Sequence, residues 1–183
     1  MKSLQGHFLI ASSNLHDPNF IKTVVLLLEH SEHGAFGVVL NRRTSKTIKE
    51  LWEEVHEPPC GNQQCLNLGG PVSGPLMALH THEPLGGAEV LPGIYFSHDK
   101  AELEALVQQH EHTFKLFVGH SGWGGGQLEN EIQQGAWLTT PATTEYVFFD
   151  EDLLWVKLIR QIGSDTLCSL LKIKNIPDDP SLN

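Results

Sequence analysis

No long hydrophobic run exists in this sequence. Its longest purely aliphatic stretch is Val24-Val25-Leu26-Leu27-Leu28, far below the ~20 residues that span a bilayer. No transmembrane helix and no membrane partner are expected. Near the start, Phe8-Leu9-Ile10-Ala11 is too short for the apolar core of a secretory signal. Cysteine is scarce and odd in number: Cys60, Cys65 and Cys168. A secreted disulfide framework calls for more thiols in an even count. Cys60 and Cys65 also lack the two-residue spacing of a redox pair or zinc knuckle. Loop thiols in a reducing cytoplasm are the expectation, with a regulatory disulfide as the alternative.

Positive charge is scarce as well. Twelve Lys and Arg stand against 22 Asp and Glu, for a net charge of −10. Phosphate backbones are gripped by clusters of cations. Only Arg42-Arg43, with Lys46 and Lys49 nearby, approaches one, so nucleic acid is disfavoured as a partner. The 11 histidines make the net charge steeply pH-dependent near their ordinary pKa of about 6.5.

What is present describes a folded domain. Length, at 183 residues, fits one domain, and 40% hydrophobic residues supply a core. The reading is a single domain over 1–174 with a flexible tail over 175–183. Short β-prone runs at His7–Ala11, Thr23–Leu28 and Ala35–Leu40 read as strands, the last two as a hairpin. Thr47-Ile-Lys-Glu50 is a capping box that opens a helix with Ile48, Leu51, Trp52 and Val55 on one face, stopped by Pro58-Pro59. Leu66–Leu68 and Pro75–His80 read as strands flanking a Gly69-Gly70-Pro71 turn. Gly93–Ser97 and Phe114–Val118 read as further strands, and Asp99 caps a second helix. A glycine-rich loop over 119–126 leads into a short helix at Gln127–Gln134. Glu145–Phe149 reads as the last strand. Leu153–Ile162 reads as a helix ended by Gly163, and a short helix follows over Asp165–Leu171. Strands and helices mix without strict β-α-β alternation, which predicts an α+β domain with a mixed sheet.

Three constellations invite chemistry. Gly119-His120-Ser121-Gly122-Trp123 lies between a strand and a helix, where a hydrolase nucleophile elbow would lie. But Trp123 stands where the elbow needs a small residue, and no histidine follows His120 to act as base, so Ser121 reads as a loop hydroxyl. The glycines at 122 and 124–126 open either an anion site at the next helix or a tight turn; no P-loop or dinucleotide fingerprint accompanies them. His80 and His82, His30 and His33, and His110 and His112 form pairs without a third ligand at a recognised spacing, so no metal is expected.

These blocks, read in order, resemble the YqgE/AlgH family of bacterial proteins over nearly the whole chain. The resemblance rests on Gly6–Ala11, Asp17–Phe20, Thr23–His30, Gly34–Arg42, Gly69–Val72, Leu79-His80, Gly122–Glu129 and Ala136-Trp137. Arg43 replaces the family's usual proline, and His120-Ser121 replaces its Tyr-Ala. The resemblance implies a strongly curved mixed sheet, a partial barrel flanked by helices. It implies no defined reaction and no cofactor. The expectation is a cytoplasmic regulatory domain, not an enzyme, that binds a small molecule or a protein. Its ligand-binding residues would be Asn41, Arg42, Gly69, Gly70, His80, Gly122, Trp123, Gly124, Gln127 and Glu129, bordering one cavity. The alternatives are a hydrolase using His80 or Glu129 and a nucleic-acid-associated transcriptional regulator.

Overall fold

Runs that are apolar at every position must be buried on both faces. In the computed structural model His7–Ala11 (β1) and Val24–Ser31 (β2) meet that demand at the middle of a five-stranded antiparallel sheet. Gly34–Val39 (β3) and Ser121–Gly124 (β10) complete one side, and Trp137–Pro141 (β11) the other, in the order β10-β3-β2-β1-β11. The structure describes residues 2–54, 60–109 and 111–171, with side chains through 164. The Pro58-Pro59 stop, Val55, His110, the Cys168 side chain and the tail from 175 lie outside it.

A second sheet has six strands. They are Arg43–Thr47 (β4), Cys65–Leu68 (β5), Met77–His80 (β6), Ala88–Leu91 (β7), Ile94–Ser97 (β8) and Phe114–Val118 (β9), in the order β4-β5-β9-β6-β8-β7. Among the described residues its one parallel pair is β5 with β9. The α+β fold expected from sequence is present as a single domain. Its strands divide between two sheets, and neither closes into a barrel.

The two sheets share a core. Phe8, Ile10, Leu26 and Val38 of the first pack with Met77, Leu79 and Phe117 of the second, and with Leu154 and Leu158 of the helix Glu151–Leu171 (α5). Burying each such side chain contributes about 1.5–3 kcal/mol. The outer face of the first sheet is covered by Gln127–Gln133 (α3) and the 12–23 segment, through Trp123, Trp137, Leu128 and Phe20. The outer face of the second is covered by Ile48–Glu54 (α1) and Lys100–Gln108 (α2). Both helix starts follow the sequence. The Thr47 amide donates to Glu50 at 2.7 Å and the Glu50 amide to the Thr47 hydroxyl at 3.2 Å, while Asp99 accepts from the amides of Ala101 and Glu102.

Several expected elements differ. Thr144–Val147 (α4) is a helical turn, not part of a strand. The edge beside β1 is already taken by β11, and from Val147 through Phe149 the chain packs aromatic and apolar groups into the shared core. Ser121–Gly124 is an edge strand, not loop: Ser121 and Trp123 point inward, while Gly122 and Gly124 face out. Glycine has no side chain to display that two-residue period. β5 and β6 are not neighbours, because β9 inserts between them. Gly163 does not interrupt α5, which runs on to Leu171. Among the described residues no helix is long and apolar enough to cross a membrane.

Candidate functional site

Alternation along β9 sends Phe114 and Leu116 toward α1 and α2 and Phe117 toward the shared core. Lys115 lies on the same side as Phe117, since side chains two apart share a face. A lysine therefore stands where the sheet would otherwise continue its apolar surface. Beside it, Asn67 on β5 is in register with Phe117, and Arg43 on β4 with Asn67. The corner of the sheet formed by β4, β5 and β9 is thus polar. The segment from Phe148 to Glu151 crosses over this corner and leaves a cavity of about 440 Å³.

Charge in this cavity centres on Glu151, at the start of α5. Its Oε1 lies 2.7 Å from Lys115 Nζ, and its Oε2 accepts from Arg43 Nη2. Lys115 and Glu151 are nearly enclosed, with side-chain exposures of 10% and 7%. Arg43 lies at the mouth, 60% exposed. Burial lowers the Lys115 pKa from its ordinary value, against the raising influence of the Glu151 carboxylate. Burial alone would raise Glu151. The hydrogen bond and charge of Lys115, a backbone amide and Arg43 outweigh it, so the carboxyl titrates below its ordinary range. Two cations face one buried carboxylate, and exposed Asp150 stands at the rim.

Asn67 adds an unmet demand. It is 3% exposed, its Nδ2 donates to the Leu116 carbonyl over 3.5 Å, and its Oδ1 has no partner among the described residues. A buried carbonyl left unpaired costs about 1–3 kcal/mol. Sequence reasoning passed over Lys115, Asn67 and Glu151. The available signal was a lysine inside the apolar run Phe114-Lys-Leu-Phe-Val118.

The residues singled out from sequence are placed elsewhere, mostly in structural roles. Asn41 extends the backbone ladder with its carboxamide: Oδ1 accepts from the Val24 amide at 2.8 Å, and Nδ2 donates to the Lys22 carbonyl at 2.9 Å. Arg42 donates to the Pro18 carbonyl at 2.9 Å. The Gly69 amide donates to Val118, and its carbonyl accepts from Val39. Gly70 lies against the backbone of His120.

His80 is fully buried. Its Nδ1 accepts from the His82 amide at 3.2 Å, so Nε2 carries the proton and donates to Ser97 Oγ at 2.9 Å. Burial lowers its pKa, and the ring is neutral.

The segment from Trp123 to Glu131 does form one network, gathered by Glu131. Its Oε2 accepts from both Trp123 Nε1, at 3.0 Å, and Trp137 Nε1, at 2.8 Å, while Gln127 Nε2 donates to Oε1. The Gly124 amide donates to Gln127, and Glu129 Oε1 lies 2.8 Å from His30 Nε2. Nothing approaches Gly122 within 4 Å of where a Cβ would lie. Trp123 lines a shallow depression with His30 and Phe36 that Arg42 does not line. The ten residues are not gathered around one of the three cavities described. Among the described residues no cluster of three or more metal-ligating side chains occurs. His82 stacks on His112 with ring centroids 4.0 Å apart.

Ser121 is fully buried, and its hydroxyl donates to the Gly69 carbonyl at 3.2 Å. Among the described residues no base reaches it, and its burial denies a substrate access. A fluorophosphonate probe should leave the protein unlabelled; stoichiometric labelling that disappears in Ser121→Ala would contradict this.

The chain matches known proteins along most of its length. A family model described as AlgH-like matches residues 8–167. UPF0301 protein CT0663 of Chlorobaculum tepidum is 35% identical, over 97% of this chain and 95% of that protein. A UPF0301 protein of Myxococcus xanthus is 37% identical, over 90% and 94%. The solution structure of the AlgH protein from Pseudomonas aeruginosa superposes with a TM-score of 0.74 at 30% identity, over 96% of each chain. Protein DIP2367 from Corynebacterium diphtheriae shares the fold, with a TM-score of 0.70 at 24% identity over 88% of each.

Proposed function

The chain belongs to the AlgH-like family, and from this premise we propose that it is a ligand-binding domain. Its site is the polar cavity at the corner of the second sheet. The observation that carries this reading is Asn67: a buried carboxamide whose Oδ1 lacks a partner, lining the same cavity as the Lys115–Glu151 pair. Buried polar groups are normally satisfied, and exceptions call for an explanation. A bound molecule supplies one. The cavity's volume falls within the ~300–1,000 Å³ of small-molecule sites. Ligand binding is also the expectation from sequence; the cavity proposed here is lined by none of the ten residues named there. The free thiols of Cys60 and Cys65 support a reducing, cytoplasmic setting.

Hydrolysis through His80 or Glu129 draws no support. His80 is spent on Ser97 and a backbone amide, and Glu129 on His30. The test is a thermal-melt screen against a library of polar metabolites. A ligand at 100 times its Kd adds about 2.7 kcal/mol to stability, so a true ligand should raise Tm by several degrees. That rise should vanish in Asn67→Leu. A screen in which no polar compound shifts the wild-type protein, or in which Asn67→Leu responds equally, would refute the assignment.

A further inference from the structure

Resting on that cavity reading, we infer that the ligand is a small carboxylate with a hydroxyl or amino group on the adjacent carbon. The anionic half follows from Arg43. A guanidinium carries five N–H donors in a planar fork. In this structure the Arg43 guanidinium bonds to Glu151 and to no other side chain or carbonyl among the described residues. Glu151 has both oxygens occupied, by Lys115 and by Arg43. The remaining donors of Arg43 are therefore open at the cavity mouth, where 60% exposure lets a solute reach them. A planar carboxylate matches two of them at once.

The adjacent donor follows from register. Arg43 and Asn67 are directly opposed across the antiparallel pair of β4 and β5, which sets their Cα atoms about 4.5–5.5 Å apart. An anion held by Arg43 thus brings its neighbouring carbon toward Asn67. There Oδ1 needs a donor, and a hydroxyl or ammonium supplies it. Oδ1 is shut off from solvent in the structure, so the Asn67 carboxamide must turn toward the cavity on binding. Among the described residues its one tether is the 3.5 Å bond to Leu116, at the weak limit of such bonds. Phe148 and Phe149 line the cavity as well and offer apolar surface to the rest of the molecule.

The test is an amide NMR titration of the full chain with four probes: mandelate, L-phenylalanine, phenylacetate and methyl mandelate, with inorganic phosphate beside them. Mandelate and L-phenylalanine should shift the amides at 64–67, 113–115 and 150–151. Phenylacetate, lacking the second donor, and methyl mandelate, lacking the charge, should each bind about tenfold more weakly, the equivalent of one such hydrogen bond. In Arg43→Gln, whose exposed site poses no threat to folding, the preference for acid over ester should disappear. Equal binding of ester and acid would overturn the carboxylate, and so would phosphate binding without mandelate. If acids fail while a neutral polyol shifts the same amides, the ligand class falls and the cavity reading survives. If no polar compound shifts them, both fall together.

Discussion

Replacing Glu151 with alanine should lower the unfolding free energy by about 3–5 kcal/mol, the cost of leaving a buried charge without its partner. Lys115 is the residue stranded, since its side chain is 10% exposed and Glu151 is its one carboxylate within hydrogen-bonding distance among the described residues. Arg43, at 60% exposure, can turn to water and adds little to the loss. Urea denaturation measures the difference, and a loss under about 1 kcal/mol would show that Lys115 is not held as described. The double variant Glu151→Leu with Lys115→Met should recover most of it, because an apolar pair of similar volume often replaces a buried ion pair without penalty.

The pH dependence has a definite sign. The folded carboxyl of Glu151 titrates below its ordinary value of 4.5. Its contribution is therefore complete above that ordinary value and is lost as pH falls through the folded pKa. Lys115 is also lowered, so at high pH the folded form releases its proton before the unfolded chain does. Stability from this group rises with pH across that alkaline interval. Glu151→Gln should flatten the acid limb of the stability profile and leave the histidine region unchanged.

A second large effect should come from Gly70. Alanine there should cost about 3 kcal/mol or more, or abolish soluble folding, whereas Gly122→Ala should stay within about 0.5 kcal/mol of the parent. At Gly70 a Cβ would lie 2.3 Å from the His120 carbonyl carbon, and φ is +153°. His120 cannot yield, because its amide and carbonyl both bond to Val72. At Gly122 the same Cβ meets nothing within 4 Å. Comparable losses at the two positions would contradict the crossing of backbones seen at Gly70. The contrast separates two glycines that look equally suggestive in sequence.

That comparison shows where sequence reading runs out. Helix starts were legible, because a capping box is local: Thr47 and Glu50, and Asp99 with its following amides, form in the structure as read. The central strands were legible because Val24–Leu28 is apolar without interruption. β4 was not, since Arg-Thr-Ser-Lys-Thr is an edge strand with polar residues throughout. The candidate site was missed for a related reason. Arg43, Asn67, Lys115 and Glu151 are scattered along the chain, and only the placement of β9 beside β5 brings them together. The glycine-rich segment stands out in sequence, and in the structure its Trp123 shares the Glu131 carboxylate with Trp137.

The pairing of β1 with β11 also sets an order of assembly on the ribosome. One edge of residues 7–11 pairs with β2, but the other finds its partner only at 137–141. At the ~5–20 residues per second of synthesis, the nascent chain carries an unpaired β1 edge for roughly 6–26 s before that partner is made. The hairpin of β2 and β3 can close long before, since its contacts are local. Until β11 emerges, Phe8, Leu9 and Ile10 present an apolar strand edge open to other chains. Chaperone capture and aggregation during overexpression should therefore fall on the interval before residue 141 is translated, and a truncation ending short of Trp137 should be recovered mainly as insoluble protein.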